Sequence, residues 1–175
     1  MAELDTREQA LAYLAEMSPA EAFTVNRFPH GWVCTPVLSP EQIARDQGLG
    51  MAKLVIDSET GIVYQFPSWS TPMVAEAFTE FKQTGTRRAG RQIYPYQWRI
   101  TIQRTSEDDQ TIVYQLTAQS LTDPPEPTQQ HPLTIQKQTF RSDPRDPLSR
   151  IAKSYAEWQS RQSNGKWPET ATTQV

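Results

Sequence analysis

Two short apolar segments joined by a four-residue turn constrain the fold of this chain more than any other feature. Residues 51–57 form a dense apolar run, and residues 62–66 read Ile-Val-Tyr-Gln-Phe. Between them lies Ser-Glu-Thr-Gly, whose residue types favour a turn. This pattern predicts a β-hairpin, so a large part of the fold is expected to be antiparallel sheet.

Further strands are predicted by alternation of apolar and polar side chains. Phe23 and Val25 alternate with polar neighbours, and Pro29-His30-Gly31 supplies the turn into the next strand. Trp98, Ile100 and Ile102 alternate in the same way. The predicted strands of the second half are residues 97–104, 111–119 and 133–140.

Three helices are predicted from caps and helical spacing. Asp5 or Thr6 caps the first helix, Glu8 completes a capping box with Asp5, and Pro19 ends the helix. The second helix begins at Ser70 or Thr71 and ends at Gly85. The third is capped by Asp146 and ends at Asn164-Gly165. A shorter helix begins near Ser39 and is stopped by Gly48 and Gly50. The predicted buried faces are Leu11, Leu14, Ala15 and Ser18 in the first helix, Val74, Ala77, Phe78 and Phe81 in the second, and Leu148, Ile151, Ala152, Tyr155 and Trp158 in the third. The fold class is therefore α+β, a mainly antiparallel sheet built from hairpins with about three helices packed on it.

Two segments lack apolar periodicity. Residues 122–132 contain four prolines and are predicted to be a surface loop, and residues 164–175 a flexible tail. Residues 87–90 are a short basic connector. The whole chain, residues 1–175, is expected to form a single domain that includes these segments.

One internal repeat bears on that domain. Ile62-Val63-Tyr64-Gln65 recurs as Ile112-Val113-Tyr114-Gln115, each in the second strand of a hairpin. Coincidence between two hairpins rich in strand-forming residues explains the repeat. A duplication also explains it, with two similar lobes at residues 5–85 and 91–163 that share one continuous sheet.

Composition narrows the classes of partner. The 175 residues carry 17 basic and 20 acidic side chains, a net charge of -3. This balance argues against nucleic acid and anionic membranes as partners. The single cysteine excludes an internal disulfide, no apolar run is long enough to span a bilayer, and the first residues lack a signal-peptide pattern. A cytoplasmic protein is expected.

Catalytic and metal-binding constellations are not recognisable in the sequence. Cys34 lies in a predicted strand, where a buried small side chain is the ordinary expectation. His30 and His131 occupy separate loops and are too few for a zinc site. We therefore expect a protein that is not an enzyme and that holds neither a metal nor a cofactor.

Carboxylates offer the first candidate binding residues. Glu107, Asp108 and Asp109 crowd one hairpin tip, and Asp123 and Glu126 lie in the proline-rich loop. Such residues commonly form a solvated turn. The functional interpretation is an acidic projection that fits a basic cleft on a partner protein.

A basic segment offers the alternative. Arg87, Arg88, Arg91, Arg99 and Arg104 are interleaved with Tyr94, Tyr96 and Trp98. Cations beside stacking aromatics can hold a single nucleic-acid strand or a small ligand. The same alternation also marks a strand with one face in the core and one in water, and the net negative charge favours that second interpretation.

A family resemblance adds a specific expectation. Gly31-Trp32-Val33, Gly48-Leu49-Gly50 and the run Leu-Val-Ile-Asp-Ser-Glu-Thr-Gly-Ile-Val at 54–63 make residues 5–83 similar to the YrhB-like immunity domains of bacterial polymorphic toxin systems, or immunity protein 35. The resemblance implies a cytosolic protein that binds a cognate secreted toxin 1:1 and occludes its active site. It also implies that the toxin is a nuclease or a NAD glycohydrolase.

Overall fold

The computed structural model describes residues 3–45 and 51–175, and the chain divides into two compact units, Met1–Pro95 (unit 1) and Tyr96–Val175 (unit 2). Unit 1 contains α1 (Arg7–Met17), β1 (Ala22–Phe28), β2 (Gly31–Val37), α2 (Pro40–Ala44), β3 (Lys53–Asp57), β4 (Val63–Phe66), α3 (Thr71–Thr84) and β5 (Arg91–Tyr94). Unit 2 contains β6 (Trp98–Glu107), β7 (Thr111–Ser120), β8 (Gln129–Gln136), β9 (Ser142–Asp143), α4 (Pro147–Gln162) and β10 (Thr170–Gln174). The predicted α+β class is confirmed. Over the described residues, every helix is too short or too polar to cross a membrane.

The sheet of unit 1 is covered on both faces. Its strands run in the order β1-β2-β3-β4-β5, and every neighbouring pair is antiparallel. Successive residues of β2 and β3 point to opposite faces. Trp32 and Cys34 pack on the α1 side, whereas Val33 packs on the α3 side, and all three are buried. The sheet therefore lies between two helices.

Local signals explain where the helices of unit 1 begin and end. Thr6 is the N-cap of α1, and Gln9, not Glu8, completes its capping box. Ser70 caps α3, and Gly85 ends it with a φ of 73°, in the left-handed region that glycine tolerates best. The face predicted for α3 is confirmed at Val74, Ala77 and Phe78. In α1 the buried residues are instead Ala10, Leu14 and Met17, so that face was only partly predicted.

The sheet of unit 2 has a helix on one face only. Its order is β10-β6-β7-β8-β9, again antiparallel throughout. The core face carries Ile100, Ile102, Ile112, Tyr114, Leu116, Leu133 and Ile135, each at most 2% exposed. Helix α4 meets this face through small side chains, namely Ser149, Ala152, Ala156 and Ser160. The prediction that Trp158 lies on the buried face is wrong, because this side chain is 55% exposed.

Three segments differ from the sequence predictions because pairing with a distant strand orders them. Residues 170–174 are not a flexible tail but form β10, which pairs with β6 from Thr170 opposite Gln103 to Gln174 opposite Arg99. The proline-rich loop ends earlier than residue 132, because β8 begins at Gln129, and β8 in turn stops at Gln136 rather than continuing to residue 140. A further strand, β5, follows the basic connector.

The described strands form two sheets, one in each unit. They do not form the single continuous sheet that was predicted for two lobes sharing one sheet. The second copy of the repeated tetrapeptide lies within β7, and the first lies in β4 except for Ile62, which directly precedes it; both strands are interior in their sheets. A duplication as the origin of this repeat stays a prediction. The glycine turn at Gly48 and Gly50 lies outside the described residues.

Candidate partner-binding surfaces

Gly31 and Trp32, from the first quoted motif, hold the fold of unit 1 together. A Cβ atom on Gly31 would lie 1.9 Å from the carbonyl oxygen of Ile56, and the φ of Gly31 is 149°. The indole Nε1 of Trp32 donates a hydrogen bond to the carbonyl oxygen of Leu4 at 2.8 Å. The Arg27 guanidinium donates to the same oxygen at 2.9 Å and lies 5.0 Å from the Trp32 ring centroid. These two motif residues are therefore occupied by internal contacts.

Asp57 and Gly61, from the quoted run at residues 54–63, shape the turn between β3 and β4. The amide of Gly61 donates to the carbonyl oxygen of Asp57 at 2.8 Å, and the Tyr13 hydroxyl donates to the carbonyl oxygen of Gly61 at 2.6 Å. The Asp57 carboxylate accepts from the amide of Glu59 at 3.0 Å. The motif thus encodes a specific turn together with its contact to α1.

A buried ion pair joins this turn to α3. The Lys82 ammonium lies 3.0 Å from the Asp57 carboxylate, whose side chain is 3% exposed, and 2.7 Å from the exposed carboxylate of Glu59. The hydrogen bond to Glu59 raises the pKa of Lys82, burial opposes this shift, and the bond to Asp57 adds to it. Because a buried carboxylate needs a cation, this lysine connects the helix to the hairpin.

Cys34 and His30 are not brought together. The Cys34 thiol is fully buried on the α1 face of the sheet, and burial raises its pKa to about 12. The His30 ring lies 6.1 Å from the Phe28 ring and 6.5 Å from the Phe78 ring, on the α3 side. A thiol with this pKa is protonated at neutral pH and is a poor nucleophile. Over the described residues, no three His, Cys, Asp or Glu side chains are grouped closely enough to hold a metal ion.

The predicted acidic tip is largely neutralised by its own neighbours. Glu107 forms ion pairs with Lys137 at 2.7 Å and with Arg104 at 2.8 Å. The hydrogen bond from Lys137 lowers the pKa of Glu107, against a smaller opposing effect of burial, and Arg104 lowers it further. Asp108 accepts hydrogen bonds from the amides of Gln110 and Thr111 at 2.8 and 2.7 Å, and these lower its pKa. Glu107 and Asp108 therefore shape the turn.

The remaining candidate carboxylates fall into two separate places. Asp109 is exposed at the tip between β6 and β7, and Asp123 and Glu126 are exposed in the loop between β7 and β8. The ten residues of β7 separate the two places. At 3.2–3.4 Å per residue this is about 30 Å, so the five predicted binding residues do not form one patch.

The basic segment is divided between the two units. In unit 1, Arg87 lies over the rings of Tyr64 and Phe81 at 5.6 and 5.8 Å, and Arg88 lies over Trp69 at 5.8 Å. Arg91 donates a hydrogen bond to the side chain of Gln65. In unit 2, Arg104 is paired with Glu107, while Arg99 is exposed on the sheet face opposite α4. Most of these cations are thus used within their own unit.

The sequence predictions missed one exposed residue of α4, Trp158, whereas Ile151 and Tyr155 pack against the core as predicted. Ile151, Tyr155 and Trp158 form what we call the α4 ridge, in which exposure increases from the half-buried Ile151 and Tyr155 to Trp158. The Tyr155 and Trp158 rings stack with centroids 5.9 Å apart and an interplanar angle of 20°. The signal available in the sequence was the stripe Ser149, Ala152, Ala156 and Ser160, whose small side chains let the helix approach the sheet closely.

Comparison with known proteins finds a family match within unit 1. The family model of the immunity protein 35-like domain matches residues 5–86. None of the curated proteins or solved structures compared with the chain matches it. The match covers both quoted motifs that the structure describes, and it confirms the resemblance found in the sequence. Residues 5–86, which lie in unit 1, are therefore similar to the immunity protein 35-like domain.

Proposed function

We propose that this protein is an immunity protein that binds a cognate secreted bacterial toxin in the cytoplasm and neutralises it as a 1:1 complex. The observation that carries the proposal is the immunity protein 35-like match over residues 5–86, nearly the whole of unit 1. Inhibition by binding requires no catalytic residues of its own and depends on a stable, complementary surface.

The contacts of the motif residues indicate which parts of the chain are free to bind. Gly31, Trp32 and Asp57 are buried and hydrogen-bonded or closely packed within unit 1. A toxin is therefore recognised by exposed side chains outside the motif. Such a division lets one scaffold serve different toxins, because surface residues change with little effect on stability.

Active-site occlusion is the proposed mechanism, with a nuclease or a NAD glycohydrolase as the toxin. A cleft that binds phosphate groups is lined by cations, and an inserted carboxylate would meet those same cations. Asp109 at the hairpin tip, or Asp123 and Glu126 in the proline-rich loop, would supply it. Because β7 separates the two places, only one of them enters a given cleft.

Coexpression tests the proposal directly. The C-terminal toxin domain of the secreted protein encoded beside this gene would be induced in a sensitive bacterial host, with and without this protein. We expect survival only when both are present, and a copurifying 1:1 complex by light scattering. Continued growth arrest with folded protein present, or no complex, would contradict the proposal. A catalytically inactive toxin domain controls for toxicity unrelated to its activity.

A further inference from the structure

The α4 ridge ends in an exposed aromatic side chain, Trp158, that lies outside the core of unit 2, whereas Ile151 and Tyr155 pack against that core. The core face of α4 is completed by Ser149, Ala152, Ala156 and Ser160, all buried. Trp158 packs outside that core and remains 55% exposed. Stacking on Tyr155 restricts its ring, so little side-chain entropy is lost when another molecule covers it.

Basic side chains lie along one side of this ridge. Arg150, Ser154 and Trp158 follow at four-residue spacing, and Arg161 comes three residues later, so helical geometry places Arg150 and Arg161 on the same side. The Arg161 guanidinium lies 5.6 Å from the Phe140 ring centroid and 2.6 Å from the Glu157 carboxylate, which fix its position. Arg150 donates to the carbonyl oxygen of Arg145 and is exposed.

The charge of this region is opposite to that of the rest of the chain. Residues 141–166 contain six basic and three acidic side chains, whereas the remaining residues contain eleven basic and seventeen acidic ones. Tryptophan, tyrosine and arginine are the residue types most often found at energetic centres of protein interfaces, and here an exposed tryptophan and a half-buried tyrosine lie beside arginines. The ridge thus combines the composition of an interface with a local positive charge.

We propose that the α4 ridge binds an apolar groove rimmed by carboxylates on the partner protein, with Trp158 inserted in the groove. The inference rests on the proposed function, in which that partner is the toxin. A second copy of this chain does not fit, because Arg150 and Arg161 of one ridge would face the same two arginines of the other and repel them. A nucleic-acid strand fits less well, since Tyr155 already covers one face of the Trp158 ring and Glu157 lies beside the cations.

Calorimetric titration with the catalytically inactive toxin domain tests this contact. Trp158→Ala should raise Kd at least about 30-fold, as expected for an interface hot spot. Arg150→Glu should raise it about tenfold, with a weaker dependence on salt than the wild type. The matched control is Ile43→Ala, which truncates a 60% exposed apolar side chain of unit 1. Its Kd should equal that of the wild type.

Each outcome separates the inference from the function. Wild-type affinity of folded Trp158→Ala, or a larger loss in Ile43→Ala, would overturn the α4 contact while leaving the immunity function intact. No binding by the wild type would overturn both. Binding of a 20-nucleotide dT strand that Trp158→Ala abolishes would assign the ridge to nucleic acid instead. Because Trp158 lies outside the core, the melting temperature of the variant should be unchanged.

Discussion

The three residues Val-Tyr-Gln of the repeat occupy an interior strand in each unit, β4 in unit 1 and β7 in unit 2, but their surroundings differ. In β4 both Val63 and Tyr64 are buried, because α1 covers one face of the sheet and α3 the other. In β7 Tyr114 is buried, while its neighbours Val113 and Gln115 lie on the face of the sheet opposite α4. Local sequence therefore determines that a strand forms, and the helices of each unit determine how many of its faces are buried.

The family motif belongs to the doubly covered unit, and the aromatic ridge to the singly covered one. Gly31, Trp32 and Asp57 hold the layers of unit 1 together through close approach, hydrogen bonding and an ion pair. Trp158 in unit 2 performs no comparable task in the core. The motif thus stabilises the scaffold, and under the proposed function recognition of the toxin uses other residues.

The largest expected effect is that of Gly31→Ala in unit 1. The new Cβ would collide with the backbone of Ile56, so the free energy of unfolding should fall by more than about 4 kcal/mol. The control in unit 2 is Gly165→Ala, where φ is 84° but the space is open, and the loss should be about 1–2 kcal/mol. Urea denaturation measures both. Equal losses would show that close packing at Gly31 does not hold unit 1 together.

The next largest effect is expected on removing the lysine of a buried ion pair, compared with removing the lysine of a more exposed one. Lys82→Met leaves the Asp57 carboxylate buried without its cation, and we expect a loss of about 3 kcal/mol at pH 7. Lys137→Met removes the cation from Glu107, which is 30% exposed, and should cost less than about 1 kcal/mol. Adding Asp57→Asn to Lys82→Met should restore part of the loss. If the two lysine variants are equally stable, Asp57 is more solvated than the structure indicates.

These two contrasts also show what the sequence could predict. The hairpin of β3 and β4, the caps of α3 and its closing Gly85 were predicted, because each depends on residues close together in the chain. Strand β10 was missed, because Thr-Ala-Thr-Thr-Gln has only one buried apolar residue, Ala171, and is ordered by pairing with β6. The start of β8 was missed for the same reason.

The candidate site was harder to predict than the fold. Trp158 was placed in the core because it follows Ile151 and Tyr155 at helical spacing, but the core contact is made by the small buried side chains together with Ile151 and Tyr155, and Trp158 lies outside it. Glu107 was predicted to bind a partner, but Lys137, 30 residues away, already pairs with it. Helical spacing indicates which side of a helix faces the core, but it does not show how far along the helix the core extends.

A smaller loss of stability is expected when the same substitution is made at the valine of each copy of the repeat. Val63→Thr places a hydroxyl in a fully buried position and should cost about 1–2 kcal/mol. Val113→Thr makes the same change on the uncovered face and should alter stability by less than about 0.5 kcal/mol. Chemical denaturation of the two variants gives both numbers. A similar cost at the two positions would mean that the second face of the unit 2 sheet is also covered in solution.

The smallest effect is a pH dependence at the tip of unit 2. Since its partners lower the pKa of Glu107 below the unfolded value of 4.5, the pair stabilises the protein above that value. This contribution is lost as the pH falls through the lowered pKa. The stability difference between the wild type and Lys137→Met should therefore be present at pH 7 and should disappear once the pH falls below the lowered pKa of Glu107. A Glu107→Gln background should remove the pH dependence.

Hydrogen exchange on the complex tests the division of roles most directly. The protein would be exchanged alone and with the catalytically inactive toxin domain, and protection read for each segment by mass spectrometry. We predict new protection in α4 (Pro147–Gln162) and in one acidic loop of unit 2, with the amides of β2 and β3 unchanged. Protection confined to unit 1 would contradict the account, because it would place recognition on the family scaffold itself.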